Sequence, residues 1–185
     1  MSQTIDRLYT RIHHVLMRPG RSQTRLDRLF IRCWTALDVA AYKRLGFSAT
    51  ARMMGVDVLL LRTVGRRTGK RREVLVACTN HGGRLVVGGG NWGWDRDPGW
   101  VHNAIDQPDV EVVRRRRVQP MRAVVLSGQE AQAANDALGA AYPHSLAYVA
   151  RRSRPIPVLR LDPIADASEI VATSASEKKR FEQVD

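Results

Sequence analysis

From Val56 to Leu161 the chain is a succession of short Val- and Leu-rich runs, most of them separated by glycine-containing turns too short to hold a helix. Parallel strands need a crossover of a dozen or more residues. The spacing therefore excludes a doubly wound parallel α/β sheet and predicts antiparallel pairing. The runs cover 56–64, 73–79, 84–87, 110–115, 119–126 and 156–161. Asn80-His81-Gly82-Gly83 is a hairpin turn signal, and Arg114 to Arg117 mark the tip of a second hairpin. A short helix is predicted from Pro98 to Ile105, with proline in its first turn. Gln129 to Ala141 reads as a helix that Tyr142-Pro143 breaks, and Ser145 to Arg152 as a further helical turn. The sum is a mainly β fold with helices: a small barrel with a helical insertion before the last strand.

Two more helices are predicted at the N-terminus, over 3–17 and 24–45. In the second, Leu26, Leu29, Phe30, Cys33, Leu37, Ala40 and Ala41 recur at helical spacing. Thr24 can cap its start and Gly46 its end. Arg25, Arg28, Arg32, Lys43 and Arg44 occupy its polar sides. Such a helix packs on its own barrel or lies on anionic lipid. The segment after Pro163 is polar and reads as disordered. The expected organisation is a basic helical extension over 1–50, a cofactor-binding barrel over 51–164 and a polar tail over 165–185.

Residues 1–52 carry ten Arg or Lys against three Asp, and the whole chain has a formal charge of +12. A polyanionic partner is expected: nucleic acid, an anionic membrane surface or a highly charged small ligand. The two cysteines, Cys33 and Cys78, both lie in apolar runs and read as buried hydrophobes in a reducing compartment. There is no zinc-ligand spacing and no metal is expected. Neither a secretory signal nor a bilayer-spanning run is read, so a cytoplasmic setting is expected, with the inner face of the membrane as the one alternative.

Two segments carry the chemistry. Gly65-Arg66-Arg67-Thr68-Gly69-Lys70-Arg71-Arg72 joins two strands. It is either a solvated basic turn or a cradle for a dense anion, with glycines exposing N–H groups, five cations and a threonine hydroxyl. It lacks P-loop spacing. Gly88-Gly89-Gly90-Asn91-Trp92-Gly93-Trp94 ends a strand. It is either an aromatic cap on the barrel core or a platform where a flat ligand meets bare backbone. The helix after Asp97 offers free N–H groups to oxygen atoms.

Together these segments resemble the deazaflavin-dependent nitroreductases, also called F420H2-dependent quinone reductases. The resemblance runs from about Asp57 to Pro163. Its markers are Leu59-Leu60-Leu61, Gly65 to Gly69 with Arg72, Gly88 to Gly93, Asp97-Pro98-Gly99-Trp100 with Asn103, Gln107-Pro108-Asp109-Val110, Tyr142-Pro143 and Ile156-Pro157-Val158. It implies a split β-barrel of the flavin-reductase or FMN-binding type, and coenzyme F420 rather than FMN as cofactor. By position, Arg66, Arg67, Thr68, Gly69 and Arg72 match residues around the phosphate and oligoglutamate tail. Glu73, Val74, Leu75, Val76 and Ala77 match the strand beside the cofactor. Gly88, Gly89, Gly90 and Asn91 match the strand end facing the deazaflavin. Gly99, Trp100, Val101, His102 and Asn103 match the helix start at the ring and its side chain, and Ser145 is also expected to touch the cofactor. Tyr142, Ser145 and Tyr148 match positions near the substrate pocket; the two tyrosines either pack as aromatics near a helix end or orient the acceptor or relay a proton. Departures fall at Arg71 and Leu75, where relatives often have proline, and at Gly90-Asn91, Trp92-Gly93 and Ser145.

The implied reaction is hydride transfer from F420H2 to a quinone, nitro compound or other electron-poor acceptor. Two other readings stay open: a non-catalytic carrier of F420, a flavin or a tetrapyrrole, and a basic nucleic-acid-binding barrel. Against the latter, the aromatics do not alternate with basic residues along strands, so no specific nucleic acid is expected. Homodimerisation is left open.

Overall fold

The computed structural model describes residues 24–143 and 145–164. The helix expected over 3–17 and the tail over 165–185 lie outside them. The element order is α1 (Arg25–Leu45), α2 (Ala49–Met54), β1 (Val58–Val64), β2 (Arg71–His81), β3 (Arg84–Gly88), a 3-10 turn (Asn91–Gly93), α3 (Gly99–Asp106), β4 (Asp109–Arg114), β5 (Arg117–Val125), α4 (Gly128–Ala141), α5 (Ser145–Arg151) and β6 (Val158–Pro163).

Six antiparallel strands close a barrel in the order β1-β2-β3-β6-β5-β4, with β4 pairing back onto β1. Closure gives every strand two neighbours, although Arg71 to Ala77 of β2 pair with β1 alone. Alternation decides which residues face in. Leu59 and Leu61, Val76 and Cys78, Val110 and Val112, Met121 and Ala123, and Leu159 and Leu161 fill the interior together with Val87. Burying each Val or Leu of this kind is worth about 1.5–3 kcal/mol relative to exposure. A one-residue slip would turn a whole set outward, so the register is strongly fixed. α3 plugs the barrel with Trp100, Val101 and Ala104. α4 covers outward-facing Val86 and Val158 with Ala134 and Leu138. Burial pushes the Cys78 thiol up to about 11, so it stays a neutral apolar group.

The N-terminal helix departs from expectation. α1 starts at a capping box in which Thr24 and Asp27 exchange hydrogen bonds, and it ends at left-handed Gly46. Yet Leu26, Leu29, Phe30, Cys33, Leu37 and Ala40 are exposed, and only Ala41 is half-buried. Cys33 is thus not the buried hydrophobe its apolar run implied. The covered face instead carries Asp27, Ile31, Trp34, Asp38 and Tyr42. The physical reason is polar pairing. The Tyr42 hydroxyl donates to the Val113 carbonyl at 3.3 Å, and Lys43 meets Glu73 at 2.8 Å. The Trp34 indole donates to Thr50 at 3.0 Å, and the Ser48 hydroxyl to Asp38 at 2.7 Å. Ser48 also caps α2, a helix the sequence reading did not anticipate.

Candidate functional site

The Gly65–Arg72 turn is a closed unit. Gly65 N–H donates to Lys70 carbonyl at 2.8 Å, and Thr68 and Gly69 N–H both donate to Gly65 carbonyl. A Cβ on Gly65 would stand 2.9 Å from Thr68 Oγ1 and 3.1 Å from Lys70 carbonyl, so only glycine fits. Asn103 takes up the Arg66 N–H at 3.2 Å and donates to Thr63 at 3.2 Å. The backbone N–H groups are therefore mostly spent inside the protein, contrary to the expectation that glycines would expose them. What the turn offers is side-chain charge. Arg71 pairs with Glu111, whereas Arg66, Arg67, Lys70 and Arg72 have no carboxylate partner among the described residues. Exposed guanidinium groups of this kind suit a polyanion that can take bidentate bonds.

β2 leads from this turn to a second group of predicted residues. Val74 and Val76 point into the barrel. Ala77 lies on the outer face, in a cluster with Val56, Tyr142, Tyr148 and Ile156. Glu73 is held by Lys43 and by Arg62 at 3.0 Å, and Arg62 also reaches Glu111. The hydrogen bond from Lys43 holds the Glu73 carboxyl below the usual carboxylate range. Glu73 is thus a counter-ion on the barrel wall. From Arg72 to Ala77 is five residues of strand, roughly 17 Å. An elongated anionic molecule with its charge at the turn would reach the tyrosines at its other end.

Tyr142 and Tyr148 are both buried. Their hydroxyls are 2.9 Å apart and their rings meet edge-on, with centroids 5.9 Å apart. Ser145 is half-buried, and its N–H donates to Tyr142 carbonyl. The glycine run abuts this pair. A Cβ on Gly90 would stand 3.1 Å from the Tyr148 ring, one on Gly88 3.2 Å from Leu138, and one on Gly89 2.8 Å from Val101 and 2.9 Å from Pro157. The side where these Cβ atoms would stand is filled by the protein itself, so the absent side chains leave room for neighbouring residues there.

Other predicted residues divide in the same way. Trp100 and Val101 belong to the barrel core, and Asn103 is a buried brace. Gly99 is exposed and His102 half-buried at the start of α3. Pro98 is the N-cap of their helix, and the N–H groups of Gly99 and Trp100 have no partner among the described residues.

Sequence reasoning missed the knot that holds the tryptophan loop. The Arg152 guanidinium donates to the carbonyls of Gly89 (3.4 Å), Trp94 (2.9 Å) and Arg154 (3.3 Å), and to the Asp97 carboxylate at 2.6 Å. Asp95 accepts both the N–H and the hydroxyl of Ser153, and Arg151 lies 3.9 Å over the Trp94 ring. Asn91 and Trp92 are left-handed, with φ of 43° and 56°. The facing runs Asp95-Arg96-Asp97 and Arg151-Arg152-Ser153-Arg154 were the available signal. A separate cavity of about 430 Å³ beneath the end of α1, bordered by Tyr42, Arg44, Leu60, Val113, Arg116 and Val118, touches none of the predicted site residues.

The family described as F420H(2)-dependent quinone reductase matches residues 34–163. The chain is similar to the solved structure of an F420-H2 dependent reductase, at 27% identity and a TM-score of 0.53, covering 57% of this chain and 93% of that one. It is also similar to a solved domain-swapped dimer, at 28% identity and a TM-score of 0.51, covering 57% of this chain and 79% of that one.

Proposed function

The chain belongs to the F420H(2)-dependent quinone reductase family, and we propose that its cofactor lies along β2, with the anionic tail at the Gly65–Arg72 turn and the ring toward Gly88–Asn91. The protein is an oxidoreductase of the split-barrel, flavin-reductase-like class, with reduced coenzyme F420 as hydride donor. One observation carries the proposed placement: four cations without carboxylate partners among the described residues surround a turn that Asn103 ties to the start of α3. When bound, F420H2 supplies the hydride, and the protein supplies position and charge.

In this reading Arg66, Arg67 and Arg72 hold the tail, with Thr68 Oγ1 as a neutral donor beside them. The free N–H groups of Gly99 and Trp100 and the His102 side chain receive oxygen atoms of the ring system. Reducing a quinone to a quinol takes up a proton as well as a hydride. The Tyr142–Tyr148 hydroxyl pair, at 2.9 Å, provides a donor and a second hydroxyl to replenish it. Nothing observed favours a carrier or a nucleic-acid-binding role. The test is binding of F420 and FMN in parallel, then turnover of F420H2 with menadione. Tighter F420 binding that weakens with salt, together with turnover, supports the reading. Tighter FMN binding overturns it.

The finer reading is that a lipophilic quinone is met at an anionic membrane surface. Its support is the exposed stripe Leu26, Leu29, Phe30 and Leu37 on α1, flanked by Arg25, Arg28 and Arg32. No described helix is long and apolar enough to cross a membrane. Co-flotation with anionic vesicles, reversed by salt, tests this. Concentration-dependent dimerisation without vesicle binding would assign the stripe to a second copy instead.

A further inference from the structure

We infer that Arg152 is a positioning residue for hydride transfer: it fixes the distance between the glycine strand end and the start of α3, the two segments that flank the cofactor ring. The inference rests on the proposed cofactor placement.

The Arg152 side chain is 0% exposed. All three of its nitrogens donate, and their four acceptors lie on three separate stretches of chain. Its Nη1 reaches Gly89 carbonyl, one residue past the end of β3. Gly89 N–H is already held by Pro157 carbonyl at 2.8 Å, so this residue is gripped through both its backbone polar groups. Nη2 reaches Asp97, which immediately precedes Pro98, the N-cap of α3. The fork thus spans both ends of the loop that carries Asn91 to Trp94.

Two features make this more than a buried ion pair. First, the loop contains two successive non-glycine residues in the left-handed region, a conformation that persists only where the surroundings over-determine it. Arg152 supplies that constraint at Trp94 carbonyl and Asp97, and Ser153 adds to it at Asp95. Second, the recognised groups are mostly carbonyls at fixed angles. A planar guanidinium with five N–H groups can satisfy them together, and an ammonium cannot. The charged neighbours are Asp97, Asp95, Arg151 and Arg154, with Arg154 reaching the second Asp97 oxygen at 3.8 Å. Lysine at 152 would keep the charge beside Asp97 while releasing the carbonyls.

The experiment compares wild type, Arg152→Lys and Arg152→Ala. The measurements are the Kd for F420, kcat, the KM values for F420H2 and menadione, and Tm. Displacing a binding segment by about 1 Å costs up to roughly 100-fold in rate. The expected result for Arg152→Lys is a rise of roughly ten-fold or more in Kd and in KM for F420H2. A fall in kcat per folded molecule should accompany it, with KM for menadione little changed. Guanidinium ion, and not sodium chloride at equal ionic strength, should restore Arg152→Ala. If Arg152→Ala fails to fold, Arg152→Lys decides alone. A lowered Tm with wild-type Kd and kcat in Arg152→Lys would make the residue purely structural and overturn the inference. Failure of wild type to bind F420 would overturn the cofactor placement and this inference with it, whereas wild-type binding that Arg152→Lys leaves unchanged overturns this inference alone.

Discussion

Asn103 Oδ1 accepts the backbone N–H of Arg66 at 3.2 Å, so the helix that plugs the barrel also holds the arginine-rich turn. The same carboxamide donates to Thr63 from a buried position. Core packing and anion site share one side chain. Asn103→Ala should orphan both partners, at about 1–3 kcal/mol for the buried Thr63 hydroxyl and less for the part-exposed Arg66 N–H. A fall in Tm of several degrees and weaker F420 binding are expected together, measured by calorimetry and titration. A stable variant with weak binding would instead assign Asn103 a direct contact.

Arg67→Ala/Arg72→Ala should weaken F420 binding by roughly ten-fold per cation while leaving Tm nearly unchanged. Among the described residues neither side chain has a carboxylate partner whose loss would destabilise the fold. The salt dependence of Kd should flatten in the double variant. Titration at two ionic strengths checks both points. Unchanged affinity would move the anion site away from this turn.

Glu73 gives a pH test. Its folded value lies below the ordinary 4.5, chiefly because Lys43 donates to it. A depressed carboxylate value means stability that is fully present above 4.5 and lost as pH falls through the lower folded value. Glu73→Gln should therefore destabilise the protein at neutral pH, and the gap from wild type should narrow as pH is taken below 4.5. Urea midpoints across this range measure it. A gap independent of pH would make the effect one of shape alone.

Tyr148→Phe keeps the ring that packs against Tyr142 and removes one hydroxyl of the pair. If the pair passes a proton to the acceptor, kcat with menadione should fall about 10²-fold while the Kd for F420 stays put. An unchanged kcat would leave the tyrosines as packing groups.

Most of the barrel was legible because its turns are punctuated by glycine and its strands alternate with period two. Pro98 likewise marked the start of α3 to within one residue, since it proves to be the N-cap of a helix that begins at Gly99. The orientation of α1 was not legible. Both of its faces carry apolar side chains, and the docked one is chosen by Tyr42 and Lys43 finding partners far along the chain and by Asp38 meeting Ser48 just beyond the helix. The same holds for the glycine run. Sequence shows that a Cβ is missing at Gly89, but only the fold shows that Val101 and Pro157 occupy its place. Arg152 was hidden because its acceptors are chiefly backbone carbonyls, which every residue possesses.

The chain has two thiols of opposite situation, one sealed in the barrel and one on the open face of α1. At neutral pH a maleimide dye would therefore modify Cys33 and spare Cys78. An environment-sensitive fluorophore placed there, without engineering, would sit in the middle of the Leu26–Leu37 stripe. Its emission would shift blue when that stripe is covered, and titration with vesicles or with more of the same protein would identify the cover directly.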